Sequence, residues 1–234
     1  MSRYGDVGTF DARAAGYETG WRGDLHHRIA DRTAEIATLT APAPLRILDV
    51  GCGTGFLLRR LADDYPNALQ LVGIDPAPRM IAEARRSTAG LPRLTFLTGV
   101  AERLPLADGT FDLIVSSTSF DHWADQRAGL AELARVMTPA RVMTPVGHLV
   151  ITDLFSALRL PTLLASHRGR ARTVGRASAV LRGARLQIDQ MAQSQRYSAA
   201  GGMAHPIRYG YRVKHLSPWI GFDIATHSRG ARPR

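Results

Sequence analysis

The stretch Leu-Arg-Ile-Leu-Asp-Val-Gly-Cys-Gly-Thr-Gly-Phe, residues 45–56, decides the fold of this chain. Its first half, Leu45–Val50, is short and largely apolar, which predicts a strand buried in a parallel sheet. Its second half, Gly51–Gly55 (the glycine loop), permits a tight turn and lets backbone N–H groups approach a ligand closely. A helix is predicted to begin at Phe56. Strand, glycine loop and helix in this order favour a nucleotide-type ligand, although dinucleotide-binding proteins use a similar loop.

The same strand–helix unit recurs along the chain. The predicted strands are Leu45–Val50, Leu69–Ile74, Leu94–Leu97, Phe111–Ser116 and Gly147–Thr152, and the predicted helices are residues 24–39, Phe56–Asp64, Pro76–Ser87 and Ala124–Met137. Strands that alternate with helices predict an α/β fold, a doubly wound and mostly parallel sheet with helices on both faces. The ligand site of such a sheet lies at the carboxyl ends of its strands. Residues 209–216 and 219–226 could form a last pair of strands.

The charge is unevenly distributed over the 234 residues. The net charge is +10, yet residues 154–234 alone carry 14 basic against two acidic residues, while the rest of the chain is slightly acidic. Cys52 is the single cysteine, which excludes an internal disulfide and fits a reducing compartment. No apolar leader is visible in the first residues, so we expect a cytoplasmic protein.

Two acidic residues flank the glycine loop. Asp49 stands two residues before Gly51, where its carboxylate could position the ammonium group of a ligand. Asp75 is predicted to close the second strand, where a carboxylate can accept two hydrogen bonds from a ribose diol. Asp75 could instead cap the helix predicted at Pro76, since Asp-Pro is a good helix start, and the two roles can coexist.

Four ordered motifs resemble the class I S-adenosylmethionine-dependent methyltransferases: LRILDVGCGTGFLLRRLA, LVGIDPAPRMIAEAR, VAERLPLADGTFDLIVSS and GHLVITDLF. Within that family the chain is similar to the small-molecule group that includes the quinone-biosynthesis C-methyltransferases. The resemblance spans residues 10–155. It implies a Rossmann-like fold, S-adenosyl-L-methionine as cofactor, and methyl transfer to a small acceptor that could be lipophilic. It also divides the chain into a helical lid (residues 1–40), a cofactor-binding core (residues 41–155) and a basic cover for the acceptor, with an irregular tail (residues 156–234).

The resemblance assigns the cofactor to residues from four places in the core and one in the lid. The methionine part would lie on Asp49, Gly51, Cys52, Gly53 and Gly55, the ribose on Asp75, the adenine near Pro76, Ala101 and Glu102, and the sulfonium opposite Ser116. Tyr17 resembles the aromatic residue that closes the site, where its ring could attract a sulfonium. An equally good interpretation makes Tyr17 a core aromatic that packs against the first helix.

Two positions depart from the family pattern. Val100 stands where the family often has an acid that accepts a hydrogen bond from adenine, a loss of about 0.5–1.5 kcal/mol. Val146 replaces a glycine, beside a tandem copy of ARVMTP in residues 134–145 that predicts an extra loop, because its two prolines bar a continuous helix. These departures favour one alternative function, a catalytically impaired relative that still binds the cofactor.

Asp121-His122-Trp123, just past the fourth predicted strand, is the candidate for contact with the acceptor. His122 could take a proton near neutral pH, with Asp121 beside it. Alternatively, Asp121 caps the helix that follows and Trp123 packs in the core. At the fifth strand, Asp153 at the carboxyl end is better placed for catalysis than His148. The other histidines show no metal-ligand spacing, so we expect no metal.

The basic segment 158–185 contains Arg168, Arg170, Arg172 and Arg176, which could recognise an acidic substrate or lie against an anionic membrane surface. A solvated helix face is the more common role of such a run. The basic tail also raises the alternative of a nucleic-acid methyltransferase. That reading is weaker, because the chain lacks the Asn-Pro-Pro-aromatic run typical of amino-group methyltransferases of nucleic acids, and we expect a small-molecule acceptor instead.

Overall fold

The computed structural model describes residues 6–138, 147–153, 190–193 and 208–214, the last two ranges through their backbone. Five α-helices occupy these ranges: α1 (Val7–Arg13), α2 (Gly20–Thr40), α3 (Phe56–Asp64), α4 (Pro78–Ser87) and α5 (Gln126–Val136). Short 3₁₀ turns lie at Ala14–Gly16 and Phe120–His122. The seven strands are β1 (Arg46–Val50), β2 (Gln70–Asp75), β3 (Leu94–Thr98), β4 (Leu113–Ser117), β5 (His148–Thr152), β6 (Gln190–Gln193) and β7 (Arg208–Lys214).

The strands form a single sheet in the order β3-β2-β1-β4-β5-β7-β6. The first five are parallel to one another, and β7 pairs antiparallel with both β5 and β6. The predicted doubly wound, mostly parallel sheet is confirmed. Its order reverses between β1 and β4, and the crevice outside the strand ends at such a switch point is where open α/β sheets bind ligands.

Strand alternation separates the core into two apolar layers. In β1, Ile47 and Leu48 point to opposite faces, and both are fully buried. The Leu48 face packs against α5 through Leu130 and Leu133, while the Ile47 face packs against α2, α3 and α4. Each such leucine or isoleucine contributes about 1.5–3 kcal/mol on burial, so both layers fix the register of β1 and hence the position of the loop that follows it.

The N-terminal segment, residues 6–19, contains the helix α1, which was not predicted from the sequence. This helix and the 3₁₀ turn after it pack onto α4, where Ala14 is buried against Ala77 and Met80. The backbone N–H of Arg79 donates to Asp11 Oδ1 at 2.7 Å, which ties the segment to the start of α4. The segment therefore lies across the carboxyl edge of the sheet near β2.

Three sequence predictions are corrected by the structure. The helix α5 begins at Gln126 rather than at Ala124, because Asp125 caps it by accepting from the N–H groups of Arg127 and Ala128; Asp121 is not its cap. The strand predicted at residues 209–216 is β7, but its two antiparallel partners in the described chain are β5 and β6 (Gln190–Gln193). Residues 219–226, the predicted partner, lie outside the described residues.

Three other predictions also concern residues outside the described ranges. They are the extra loop predicted from the second ARVMTP copy, Val146, and the arginines of segment 158–185. Within the described ranges, no helix is long and apolar enough to span a membrane.

Candidate functional site

A cavity of about 850 Å³, open at its mouth, lies at the carboxyl ends of the parallel strands. The glycine loop, the end of β2, the turn after β3, the end of β4 and the N-terminal segment form its wall. The residues that line it include Phe10, Tyr17, Gly51, Gly53, Asp75, Pro76, Val100, Ala101, Glu102, Ser117, Thr118, Ser119, His122 and Trp123. The position agrees with the site predicted from the strand order.

The glycine loop needs its glycines for two physical reasons. Gly51, Gly53 and Gly55 have φ of +80°, +52° and +80°, a region that side chains other than glycine rarely adopt. A Cβ on Gly51 would also lie 2.1 Å from Ser119 Oγ, and one on Gly55 would lie 2.9 Å from the ring of Phe96. Side chains at positions 51 and 55 are therefore excluded by the turn after β4 and by Phe96 of β3.

Cys52 contributes to the loop through its backbone. The N–H groups of Gly51 and Cys52 both donate to the carbonyl of Ile74, at 2.7 and 3.0 Å. The Cys52 thiol is buried among the apolar side chains beneath the loop, and this burial raises its pKa well above the ordinary value. A thiol in such surroundings is inert, so the residue is structural.

Asp75 ends β2 and uses both carboxylate oxygens locally. Oδ1 accepts from the N–H of Ala77 at 2.8 Å, and Oδ2 accepts from the N–H of Gly53 at 3.0 Å. The first bond closes a local turn before α4. That helix begins at Pro78 rather than at the predicted Pro76, with Ala77 as its N-cap and no side-chain cap bond, so Asp75 is not its cap. The second bond joins the carboxylate to the glycine loop. Burial raises its pKa to about 6 against the effect of these hydrogen bonds. Because each oxygen has a second lone pair, Asp75 can still accept from a ligand in the cavity.

Asp49 lies in the wall of a second cavity of about 450 Å³ beside the first. Its side chain is buried, and Oδ1 has no hydrogen-bond partner among the described residues. Burial, together with the charge of Asp75, raises the pKa of Asp49 to about 8. An unsatisfied buried carboxyl next to a cavity is costly, so this atom is suited to receive a cationic donor.

The two cavities share a wall formed by Tyr17, Gly51, Gly53, Ser117 and Thr118. Thr118 has φ of +50°, the only described residue other than glycine in that region. Backbone strain of this kind collects at functional sites. One ligand could therefore occupy both cavities by passing over the glycine loop.

His26 is a site residue that sequence reasoning missed. Its Nδ1 lies 3.3 Å from Thr118 Oγ1, and it lines the second cavity with Asp49. Burial, with Arg13 and the neighbouring histidines, lowers the pKa of His26 to about 4, so the ring is neutral at pH 7. Its spacing from Ile29 and Thr33, three and seven residues on, places it on the buried face of α2. A histidine at that spacing is a signal that could have revealed it.

Tyr17 packs in the core and also lies at the walls of both cavities. It packs against the buried Ala14, Ala77 and Met80, and its ring stacks on that of His26 with centroids 5.0 Å apart. It also lines both cavities. Burial raises the pKa of Tyr17 to about 12, so it stays a neutral aromatic wall.

The expected adenine residues Pro76, Ala101 and Glu102 all line the first cavity, together with Val100. Glu102 Oε1 accepts from the N–H of Asp125 at 2.9 Å, which orients its side chain toward the start of α5. Val100 presents an apolar side chain at the position where an acid was expected.

Ser116 does not line either cavity. It is fully buried, and its Oγ lies 2.9 Å from Ser119 Oγ, which donates to the carbonyl of Val50. The strand β4 runs one residue further than predicted, to Ser117, and side chains alternate along a strand. The residues after it, Ser117 and Thr118, therefore take the position expected for Ser116.

The structure separates the two candidate catalytic residues. His122 lines the first cavity, where its Nδ1 lies 3.3 Å from Asp6 Oδ2 and its ring contacts Phe10 edge-on at 5.0 Å. Asp121 is not among the lining residues; its backbone N–H donates to Asp153 Oδ2 at 3.0 Å. The packing role of Trp123 is confirmed, since its Nε1 donates to Ser119 Oγ at 3.1 Å and its ring covers Gly129.

Across the described ranges, no three histidine, cysteine or acidic side chains are grouped so that they could hold a metal ion. The polar side chains that line the two cavities include the carboxyls of Asp49 and Asp75, the hydroxyls at and after the end of β4, and the rings of His26 and His122.

Comparison with known proteins finds one matching family model and several similar relatives. A family model described as a methyltransferase domain matches residues 47–140. The chain is 35% identical over 152 residues to the malonyl-[acyl-carrier protein] O-methyltransferase of Geobacter sulfurreducens, a match that covers 65% of this chain and 54% of that protein. It is 37% identical over 126 residues to the demethylmenaquinone methyltransferase of Deinococcus radiodurans, covering 53% of this chain and 47% of the other. This chain therefore spans about half the length of these relatives.

A solved structure shares the fold. The crystal structure of a SAM-dependent methyltransferase from Aquifex aeolicus superposes with a TM-score of 0.66 at 18% identity, and the match covers 87% of this chain and 97% of the other. At that identity the likeness concerns the fold.

Proposed function

We propose, since a family model described as a methyltransferase domain matches residues 47–140, that this chain transfers a methyl group from S-adenosylmethionine to a small-molecule acceptor. The observation that carries the proposal is the position of two carboxyl groups, Asp49 and Asp75, on either side of the glycine loop. One carboxyl is buried without a partner among the described residues, and the other is anchored to the loop at the cavity wall.

The chain's residues fit this cofactor. Asp49 Oδ1 would receive the ammonium group, and the loop Gly51–Gly55 would lie along the amino-acid end. Asp75 would accept from the ribose hydroxyls, and Ala101 and Glu102 would border the adenine. When bound, the cofactor supplies a methyl group on a sulfonium, which is a good leaving group.

The acceptor site would lie between the end of β4 and the N-terminal segment. Phe10 and Trp123 give its wall an apolar character, which supports a lipophilic or aromatic acceptor. The relatives named for malonyl-acyl carrier protein and demethylmenaquinone also support a small acceptor. Holding the reactants in line and excluding water are the main contributions that such a reaction needs from the protein.

His122 is the candidate for handling the acceptor's proton, since it lines the first cavity beside Phe10. His26 lines the second cavity instead, and burial lowers its pKa to about 4, which makes it a weak base at pH 7. Asp121 is better assigned to positioning this turn through its backbone bond to Asp153.

The test has two stages. Isothermal titration with S-adenosylhomocysteine should show binding at one site, weakened in Asp75→Asn; a folded protein that binds neither this ligand nor S-adenosylmethionine would contradict the proposal. A screen with methyl-labelled cofactor against quinols, phenols, acyl thioesters and nucleic acid then identifies the acceptor. Cofactor binding without transfer to any pool would instead support a catalytically impaired relative.

A further inference from the structure

A partly buried ion pair joins the N-terminal segment to the helix after the glycine loop. Glu18 directly follows Tyr17, and Arg59 lies in α3. Arg59 Nη2 donates to both carboxylate oxygens of Glu18, at 2.8 and 2.9 Å. Its Nη1 donates to the carbonyl of Thr54 in the glycine loop and to Ser87 Oγ, both at 2.8 Å. A single guanidinium thus holds the loop, α4 and the N-terminal segment together.

The surroundings of this pair make it stronger than an ordinary surface ion pair. The side chains of Arg59 and Glu18 are only 24% and 30% exposed. Burial by itself would raise the pKa of Glu18, but hydrogen bonds from Arg59 and Thr54 and nearby positive charge outweigh it and lower the pKa. His27 Nε2 lies 3.4 Å from Glu18, and its ring stacks on Phe56 with centroids 3.8 Å apart. The carboxylate is therefore held by Arg59 and Thr54, and the His27 ring lies beside it.

The backbone of Glu18 is equally constrained. A Cβ on Gly23 of α2 would lie 2.3 Å from the carbonyl of Glu18, so only glycine allows this approach. One residue earlier, the Tyr17 ring lies against the loop, with Cε1 3.8 Å from the position of a Cβ on Gly53. Fixing Glu18 consequently fixes Tyr17 over the glycine loop.

Glu18 of this pair borders the second cavity and not the first, and Arg59 lies behind it outside both linings. Glu18, His27 and Thr54 line the cavity that contains Asp49, and none of them lines the cavity that contains Asp75. Under the proposed function, the second cavity receives the amino-acid end of the cofactor and the first receives its adenosine.

We propose that Glu18 and Arg59 form a clamp that positions Tyr17 across the glycine loop and thereby sets the affinity for the amino-acid end of the cofactor. Both are positioning residues, which act through Tyr17 and the loop. This inference rests on the proposed function, because it needs S-adenosylhomocysteine to bind in the two cavities.

The test compares two ligands and three variants. S-adenosylhomocysteine carries the amino-acid end, and 5′-methylthioadenosine lacks it. Glu18→Gln keeps the shape and removes the charge, and Arg59→Lys keeps the charge but loses the planar fork. Arg60→Gln is the matched control, since Arg60 is on the same helix and pairs instead with Asp64 at 3.1 Å and with Asp31.

We expect Glu18→Gln and Arg59→Lys to raise the Kd of S-adenosylhomocysteine about tenfold and to leave that of 5′-methylthioadenosine within about twofold. Amide exchange in residues 6–19 should become faster in these two variants and remain unchanged in Arg60→Gln. A merely structural pair would lower the thermal midpoint without separating the two ligands.

Three results would overturn the inference: an unchanged S-adenosylhomocysteine affinity in Glu18→Gln, equal losses for both ligands, or the same loss in Arg60→Gln. If Arg59→Lys does not fold, the near-isosteric Glu18→Gln still decides the question. If the wild type binds neither ligand, the proposed function fails and the clamp fails with it; if the wild type binds both and Glu18→Gln does too with equal affinity, the clamp alone fails.

Discussion

Asp49→Asn should change the pH dependence of stability in a way that can be calculated. Burial and the charge of Asp75 raise the pKa of Asp49 from 3.8 to about 8 in the folded protein. In the unfolded chain the ordinary value applies, so the folded state retains a proton that the unfolded state releases. Below pH 3.8 both states are protonated and Asp49 has no effect. As the pH rises toward 8, the unfolded state is increasingly favoured, and stability is lost.

The magnitude follows from the two pKa values. One pKa unit corresponds to about 1.36 kcal/mol, so between pH 5 and pH 8 Asp49 should lower the free energy of unfolding by roughly 3 to 4 kcal/mol. The asparagine variant removes this slope and keeps the side-chain shape. Asp75, whose pKa is raised to about 6 by burial, titrates in both proteins and largely cancels in the difference.

The measurement is urea unfolding of both proteins at pH 5, 6, 7 and 8. The free energy of the variant minus that of the wild type should grow steadily over this range, whatever its value at pH 5. The same variant should bind S-adenosylhomocysteine at least tenfold more weakly at pH 7, because an amide cannot neutralise the ammonium group. A difference that is flat from pH 5 to pH 8 would refute the assignment of a protonated buried carboxyl.

Three further substitutions separate backbone, ligand and core effects. Gly51→Ala should lower the free energy of unfolding by about 1–3 kcal/mol more than Gly90→Ala and should abolish S-adenosylhomocysteine binding. Both glycines have positive φ, but only a Cβ at position 51 would meet a neighbouring atom. Equal losses of stability in the two variants would contradict this reason. Asp75→Asn should weaken S-adenosylhomocysteine and 5′-methylthioadenosine alike, at least tenfold by titration, since both carry the ribose; selective loss of one would place the ribose elsewhere. Thr33→Val should cost about 1–3 kcal/mol in urea unfolding, because it leaves the buried Thr152 hydroxyl, now 2.6 Å from Thr33 Oγ1, without that bond; a neutral result would show that another group satisfies it.

The fold could be predicted where local signals and burial agree. The helix predicted at Phe56–Asp64 has those bounds in the structure, and the five parallel strands were placed to within two residues. The apolar runs of β1, β2, β4 and β5 are buried on both faces, so their pattern is continuous, whereas β3 at the edge of the sheet alternates. The polar stretch Gln190–Gln193 has no such pattern, and its pairing with β7 depends on the sheet that is already formed.

The helix α1 was missed for a similar reason. Its seven residues include Gly8 and Thr9, which both have a weak helix preference, and none of the seven is buried. Contacts with α4, such as the bond from the N–H of Arg79 to Asp11, stabilise it. Such contacts join parts of the chain that are far apart in sequence.

The site divides along the same line. Asp49, Asp75 and the glycine loop could be predicted because their spacing is local to two strand ends. Glu18 could not, since its partner Arg59 is 41 residues away. His26 has the spacing of the buried face of α2, but its contact with Thr118, 92 residues away, could not be predicted from that spacing. Ser116 was misplaced because side chains alternate along β4, so Ser117 rather than Ser116 points to the cavities.

The two acidic residues of the second cavity are in opposite electrostatic states. Glu18 has Arg59 beside it, so its pKa is lowered and it is ionised at neutral pH. Asp49 shares the same cavity with a pKa of about 8 and an oxygen that no described residue satisfies. A ligand that carries an ammonium group supplies the missing positive charge and ionises Asp49 as it binds, releasing a proton. A ligand without that group leaves Asp49 protonated, and gains nothing from the second cavity. Under the proposed function, the buried carboxyl would therefore discriminate between ligands by charge, and the proposed clamp at Glu18 would hold Tyr17 at the wall of the same cavity.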